Sequence, residues 1–136
     1  MVKQLIEEGF GTEEREDYSC SEKILYGANQ VYRLGLDKQS LVMAAGLSGG
    51  VYTGKLCGAV SASALVLSRL YVKDRAHAEP RCGELVEEFV TRFEGALGTT
   101  SCGALKEKYR TEEEGCKAIV FRAAEILDDI IAREGR

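Results

Sequence analysis

The sequence predicts an all-α, single-domain helical bundle of roughly five to seven helices. Three observations carry that expectation. No segment alternates apolar and polar residues with the period of two that a half-buried strand requires. Two long segments, residues 85–97 and 119–131, repeat apolar positions at helical spacing. The breaks between periodic segments are short and carry glycine or a helix-capping residue.

Taken in order, a first short helix is expected over residues 2–8, ending near Gly9 and Gly11. Ser19 with Glu22 three residues on has capping-box spacing and starts a second helix at Cys20. That helix is expected to run to Leu34, where Gly35 stops it. Asp37 suits the N-cap of a third helix over residues 38–45. Residues 46–54 hold four glycines and read as a loop; Thr53-Gly54-Lys55-Leu56 does not complete a phosphate-binding P-loop. A fourth helix follows over residues 57–71. It is small and uncharged around most of its circumference, as a helix buried among others is. After a polar connection over residues 72–79, Pro80 opens a fifth helix. Its stripe is Leu85, Val86, Phe89, Val90, Phe93 and Leu97, and Gly98 ends it. Ser101 caps a short sixth helix from Cys102 to Tyr109. Thr111 with Glu114 is a second capping-box pattern and is expected to open the last helix, which runs to Arg133. Ile119, Val120, Ala123, Leu127, Ile130 and Ile131 lie on its buried side.

The 136 residues suit one domain, divided into an acidic N-terminal segment, residues 1–17, and a cysteine-bearing core over residues 18–133. Hydrophobic residues at 45% and charged residues at 29% match a globular chain and not a disordered one. A net charge of −4 and a pI near 5.2 leave no basic surface, so nucleic acid is not an expected partner. Lys3 and Arg15 stand against Glu7, Glu8, Glu13, Glu14, Glu16 and Asp17, so residues 1–17 account for the whole net charge. Such a run is by default a solvated face. The start lacks the apolar core of a secretory signal, and the uncharged stretch 56–68 is too short to span a bilayer. A cytoplasmic protein that is not membrane-embedded is the expectation. The burial pattern is compatible with both a monomer and a homodimer.

Cysteine is the unusual component: Cys20, Cys57, Cys82, Cys102 and Cys116. Structural disulfides are rare in a reducing cytoplasm. Cys20, Cys57 and Cys102 fall at expected helix starts, and Cys116 in the first two turns of the last helix. A helix N-terminus presents unpaired N–H groups and a partial positive charge, both of which favour thiolate. Core packing is the competing explanation, since free cysteine is often buried. Cys82 is in phase with Val86, Phe89 and Phe93 and reads as structural. There is no C-x-x-C pair, no zinc-ribbon knuckle and no compact ferredoxin run. Any joint site must be assembled by the fold. His77, the single histidine, lies in the polar connection and is expected to be exposed.

Cys57-Gly58-Ala59-Val60-Ser61-Ala62 resembles the CGAxxG motif of the C_GCAxxG_C_C family of redox-active proteins. Cys20, Cys57, Cys102 and Cys116 follow the family's order of four cysteines. The Gly-rich loop before the motif, the Phe89–Phe93 helix and the Ala123-Ala124-Glu125-Ile126-Leu127 tail are also similar. The resemblance covers residues 17–130. Two departures stand out: the final motif glycine is Ala62, and Cys82 is additional. The resemblance implies an all-helical fold and a thiol-redox role, without a substrate. In that reading Cys57 is the favoured reactive thiol, Cys102 or Cys20 its resolving partner, and Cys116 the fourth member. The electron partner would be a protein or a small thiol. Thiol exchange needs no cofactor. Two other classes stay open: an iron–sulfur cluster or zinc held by Cys20, Cys57, Cys102 and Cys116, and a non-catalytic helical interaction protein.

Overall fold

A computed structural model describes residues 1–135. Among them are seven α-helices: α1 (Val2–Glu7), α2 (Cys20–Tyr32), α3 (Lys38–Leu41), α4 (Gly58–Tyr71), α5 (Pro80–Leu97), α6 (Cys102–Tyr109) and α7 (Lys117–Glu134). The described residues form no β-strand, only two isolated bridges, so the all-α expectation holds. Among the described residues no helix is long and apolar enough to cross a membrane.

α4 is the central helix. It packs most extensively against α2, then against α5 and α7, while α1 lies on α7. Gly58, Ala59, Val60, Ala62, Ser63, Val66 and Leu67 are buried on it. One strip opens to solvent at Leu65 and Ser68, so α4 is less enclosed than its composition suggests. The motif's departing residue, Ala62, is fully buried. On α5, Leu85, Phe89, Phe93 and Leu97 are core, with the Phe89 and Phe93 rings 6.1 Å apart. Val86 and Val90 sit half-buried at the edge of that stripe. All six expected core positions of α7 are buried. His77 is exposed.

Three boundaries differ from expectation. α2 stops at Tyr32 because Arg33, and not only Gly35, takes a left-handed conformation, φ 52°. Asn29 fixes this turn: its Oδ1 accepts from Leu36 N at 2.9 Å, and its carbonyl accepts from Leu34 N at 3.2 Å. The third helix persists beyond Leu41 as a 3₁₀ stretch, Val42–Leu47. The last helix begins at Lys117, six residues beyond Thr111. Thr111 instead closes a tight turn: its Oγ1 accepts from Glu114 N at 3.0 Å, and it exchanges backbone hydrogen bonds with Gly115. Gly115 takes φ +58°, which breaks the helix that the capping pattern promised.

One buried carboxylate ties three helices together. Asp128 on α7 is 3% exposed and accepts from Val2 N at 3.1 Å and Lys3 N at 2.9 Å, the unpaired amides that open α1. The Tyr32 hydroxyl at the end of α2 donates to the same side chain. Removing the carboxylate strands buried donors, each costing about 1–3 kcal/mol. Asp128→Ala is therefore expected to lose about 3 kcal/mol of stability. Urea unfolding checks it, as a lowered midpoint at unchanged slope.

Candidate redox site

Four helix starts carry the four ordered cysteines. Ser19 caps α2: its Oγ accepts from Glu22 N, and Glu22 Oε1 accepts from Ser19 N at 2.9 Å. Cys20 is thereby the first residue of α2. Ser101 caps α6, accepting from Ala104 N, and makes Cys102 the first residue of that helix. Cys57 is the N-cap of α4, its carbonyl accepting from Val60 N at 3.0 Å. The Thr111–Gly115 turn makes Cys116 the N-cap of α7, its carbonyl accepting from Ile119 N at 3.0 Å. Cys116 thus moves from within a helix to its mouth.

The fold gathers these sulfurs around Cys57, which lies within electrostatic reach of Cys20, Cys102 and Cys116. Two close approaches explain how. A Cβ on Gly58 would stand 2.9 Å from the Leu47 carbonyl oxygen and 3.2 Å from Ser21 Cβ. Glycine there lets the start of α4 press onto the start of α2. On the other side, Cys57 N donates to Thr100 O at 2.8 Å and Cys102 N to Lys55 O at 2.6 Å. This short antiparallel clasp around Leu56 and Ser101 fixes Cys57 beside Cys102.

All five cysteines carry free thiols, and the two pairs differ in setting. Cys20 and Cys116 both line a cleft of about 840 Å³. The Arg110 guanidinium stands 3.7 Å from the Cys116 sulfur. The hydrogen bond from Cys20, with Arg110 and Lys106, lowers the Cys116 pKa to about 6. The same hydrogen bond and burial push the Cys20 thiol well above its ordinary range. These opposite shifts favour ionisation at Cys116 over Cys20. Cys57 and Cys102 are buried, and burial pushes the Cys57 thiol up against the opposing amides of Ala59 and Val60.

A strained loop covers the inner pair. Gly49, Gly50, Val51 and Tyr52 are all left-handed, φ 58° to 65°. That conformation is unusual for a β-branched residue and costs of order 1–3 kcal/mol. Gly50 is pressed against Cys102: a Cβ there would stand 2.9 Å from Cys102 Cβ and 2.5 Å from Lys55 N. Ser101 Oγ donates to Gly54 O at 3.3 Å and holds the loop's far end.

A family model described as "Putative redox-active protein (C_GCAxxG_C_C)" matches residues 18–130. The chain belongs to this C_GCAxxG_C_C family. No curated protein and no solved structure matches it. All four ordered cysteines of the C_GCAxxG_C_C pattern fall inside the match, and residues 1–17 fall outside it. Among the described residues no three His, Cys, Asp or Glu side chains converge to hold a metal ion. Cys82 belongs to the α4–α5 contact, with Ser68 Oγ 3.8 Å from its sulfur.

Arg110 went unrecognised in the sequence because the turn that brings it to Cys116 is itself hidden there. Ser21 and Ser48 also carried no signal. Ser21 Oγ donates to Ala44 O at 2.8 Å and Ser48 Oγ to Ser19 Oγ at 2.7 Å, which ties the start of α2 to the 3₁₀ stretch.

Alkylation of Cys116 is expected to titrate with a midpoint of about 6. Cys20→Ala and Arg110→Ala should each move that midpoint upward, read by rate against pH with peptide mapping. The folded value lies below that of an unfolded thiol, so the thiolate's stabilisation is fully present above the unfolded range. It is lost as pH falls through about 6. Urea midpoints across that window should show the loss, and Cys116→Ser should flatten it.

Proposed function

We propose that the protein exchanges thiols and disulfides through Cys20 and Cys116, with Cys116 as attacking thiolate and Cys20 as resolving thiol. The observation that carries this reading is that Cys20 and Cys116 line one cleft, with the Arg110 guanidinium 3.7 Å from the Cys116 sulfur. Exchange needs a thiolate, a resolving thiol and access, and this pair combines all three. In the forward direction the Cys116 sulfur attacks one sulfur of a partner disulfide. A mixed disulfide forms, and the first partner thiolate leaves and takes a proton from solvent. Cys20 then attacks the Cys116 sulfur, and its proton accompanies the second partner thiolate. The two cysteines lose two electrons to form a disulfide, and the partner disulfide is reduced to two thiols.

Cys57 and Cys102 form a second pair behind the first. The approach of Gly58 to Ser21, which brings the start of α4 onto the start of α2, supports onward exchange. Cys57 would attack the new disulfide and Cys102 would resolve it, restoring Cys20 and Cys116 as thiols and leaving the disulfide inside. This assignment moves the first attack from Cys57, which the motif alone suggested, to Cys116. Cys57 is buried and its thiol is held up, whereas Cys116 has a cation and a hydrogen-bond donor at its sulfur.

Treatment of the reduced protein with a neutral small disulfide, followed by alkylation and peptide mapping, tests the order of events. The first product is expected to link Cys20 to Cys116. Cys20→Ser should stop at a mixed disulfide on Cys116, and Cys116→Ser should slow the first step about tenfold or more. Modification of Cys57 ahead of Cys116 would overturn the assignment.

A further inference from the structure

The acidic residues that dominate the N-terminal segment border the reactive cleft. Glu13, Glu14 and Asp17 line it on one side, from a loop in which Asp17 N returns to Thr12 O at 2.8 Å. Glu112 and Glu113 line it from the Thr111–Gly115 turn, immediately before Cys116. All five are exposed and none makes an ion pair among the described residues. The cleft's cations are largely engaged already. Lys117 lies 3.7 Å from Glu114 and donates to Glu7 O at 3.1 Å, and Arg110 is held at the Cys116 sulfur. Lys23 is left against five carboxylates drawn from two unconnected segments. With six acidic side chains against three basic ones the lining is net negative, and a net negative cleft concentrates cations.

We infer that the disulfide exchanged at this cleft carries positive charge beside its sulfurs, as a cystine in a lysine- or arginine-rich segment does. The inference rests on the exchange reading above and adds the substrate's charge to it. A disulfide flanked by carboxylates meets repulsion at the mouth before it reaches Cys116. One flanked by ammonium or guanidinium groups meets attraction from both walls. The chemistry is the one already written: the cationic disulfide is reduced to two thiols, and Cys20 and Cys116 are oxidised.

The test compares three small probes on the full-length reduced protein: cystamine, which is dicationic, hydroxyethyl disulfide, which is neutral, and dithiodipropionate, which is dianionic. Each rate is divided by that of the same probe with a small neutral thiol, which removes intrinsic reactivity. The normalised cation-to-anion ratio is expected to be about tenfold or more at low salt. It should fall toward one near 1 M salt, where screening acts within about 3 Å. Glu112→Gln with Glu113→Gln should lower the ratio about twofold or more. Glu87→Gln with Glu94→Gln, on α5 outside the cleft, should leave it unchanged. The salt series uses the unaltered protein, so it decides the matter even if a variant folds poorly. A ratio near one at low salt, or one equally lowered by both double variants, overturns the charge inference alone. No exchange with any probe overturns the exchange reading. A disulfide-linked lysine-rich peptide that outpaces cystamine would support the inference and assign the charge to a protein segment. Parity would support it with a small cationic disulfide as the source.

Discussion

The site depends on the contact between Gly58 and the start of α2. Its hydrogen occupies space where a methyl group would stand 2.9 Å from the Leu47 carbonyl oxygen and 3.2 Å from Ser21 Cβ. Neither neighbour is a flexible chain end. The carbonyl is backbone, and Ser21 is fully buried with its hydroxyl committed to Ala44 O. A larger residue would therefore displace the helix itself. Because Cys57 directly precedes Gly58 and Cys20 directly precedes Ser21, this single approach sets the distance between two of the four cysteines. The Cys57-Gly58-Ala59 string thus combines a functional sulfur with the gap that places it.

Helix starts alone do not decide which sulfur ionises. Cys57 and Cys116 occupy the same N-cap position, and helix amides face the Cys57 sulfur, yet it is the Cys57 thiol that is raised and the Cys116 thiol that is lowered. A helix terminus contributes about 0.3–1 kcal/mol at an exposed position. Burial of a charge opposes it and wins at Cys57. Cys116 is also buried, but it has the Cys20 thiol as donor, Arg110 beside the sulfur and Lys106 nearby. Direct hydrogen bonds and a neighbouring full charge exceed the helix field. The surroundings of each sulfur, more than its place on a helix, separate Cys57 from Cys116.

Most of the fold was legible because its local signals agree with its packing. Ser19 with Glu22, Asp37, Pro80 and Ser101 each open a helix where the sequence indicates, and the stripes of α5 and α7 face the core. Order and spacing picked out the four cysteines. What stayed hidden depends on tertiary contact. Thr111 and Glu114 have capping-box spacing, yet Gly115 takes a left-handed conformation and turns the pattern into a closed turn. That difference moves the start of α7 and brings Arg110 to Cys116. Asp128 reads as an ordinary surface acid until α1 and Tyr32 are placed on it. The acidic side chains of residues 1–17 face solvent as the sequence indicates, but Val2, Ile6 and Phe10 of the same segment are core, and its position at the cleft mouth comes from the packing of α1 on α7.

The two cysteine pairs also differ in what would have to move for them to meet solvent. Cys20 and Cys116 line the cleft. Cys57 and Cys102 lie under a loop whose four successive left-handed residues include Val51 and Tyr52, neither suited to that conformation. The strain persists because Gly50 seats against Cys102 and because Lys55 and Ser101 pin the loop's end to the start of α6. The conformation that seals the inner pair is therefore held by contacts with the inner pair itself. An oxidising equivalent that reached Cys57 and Cys102 would alter the surface on which the loop is seated.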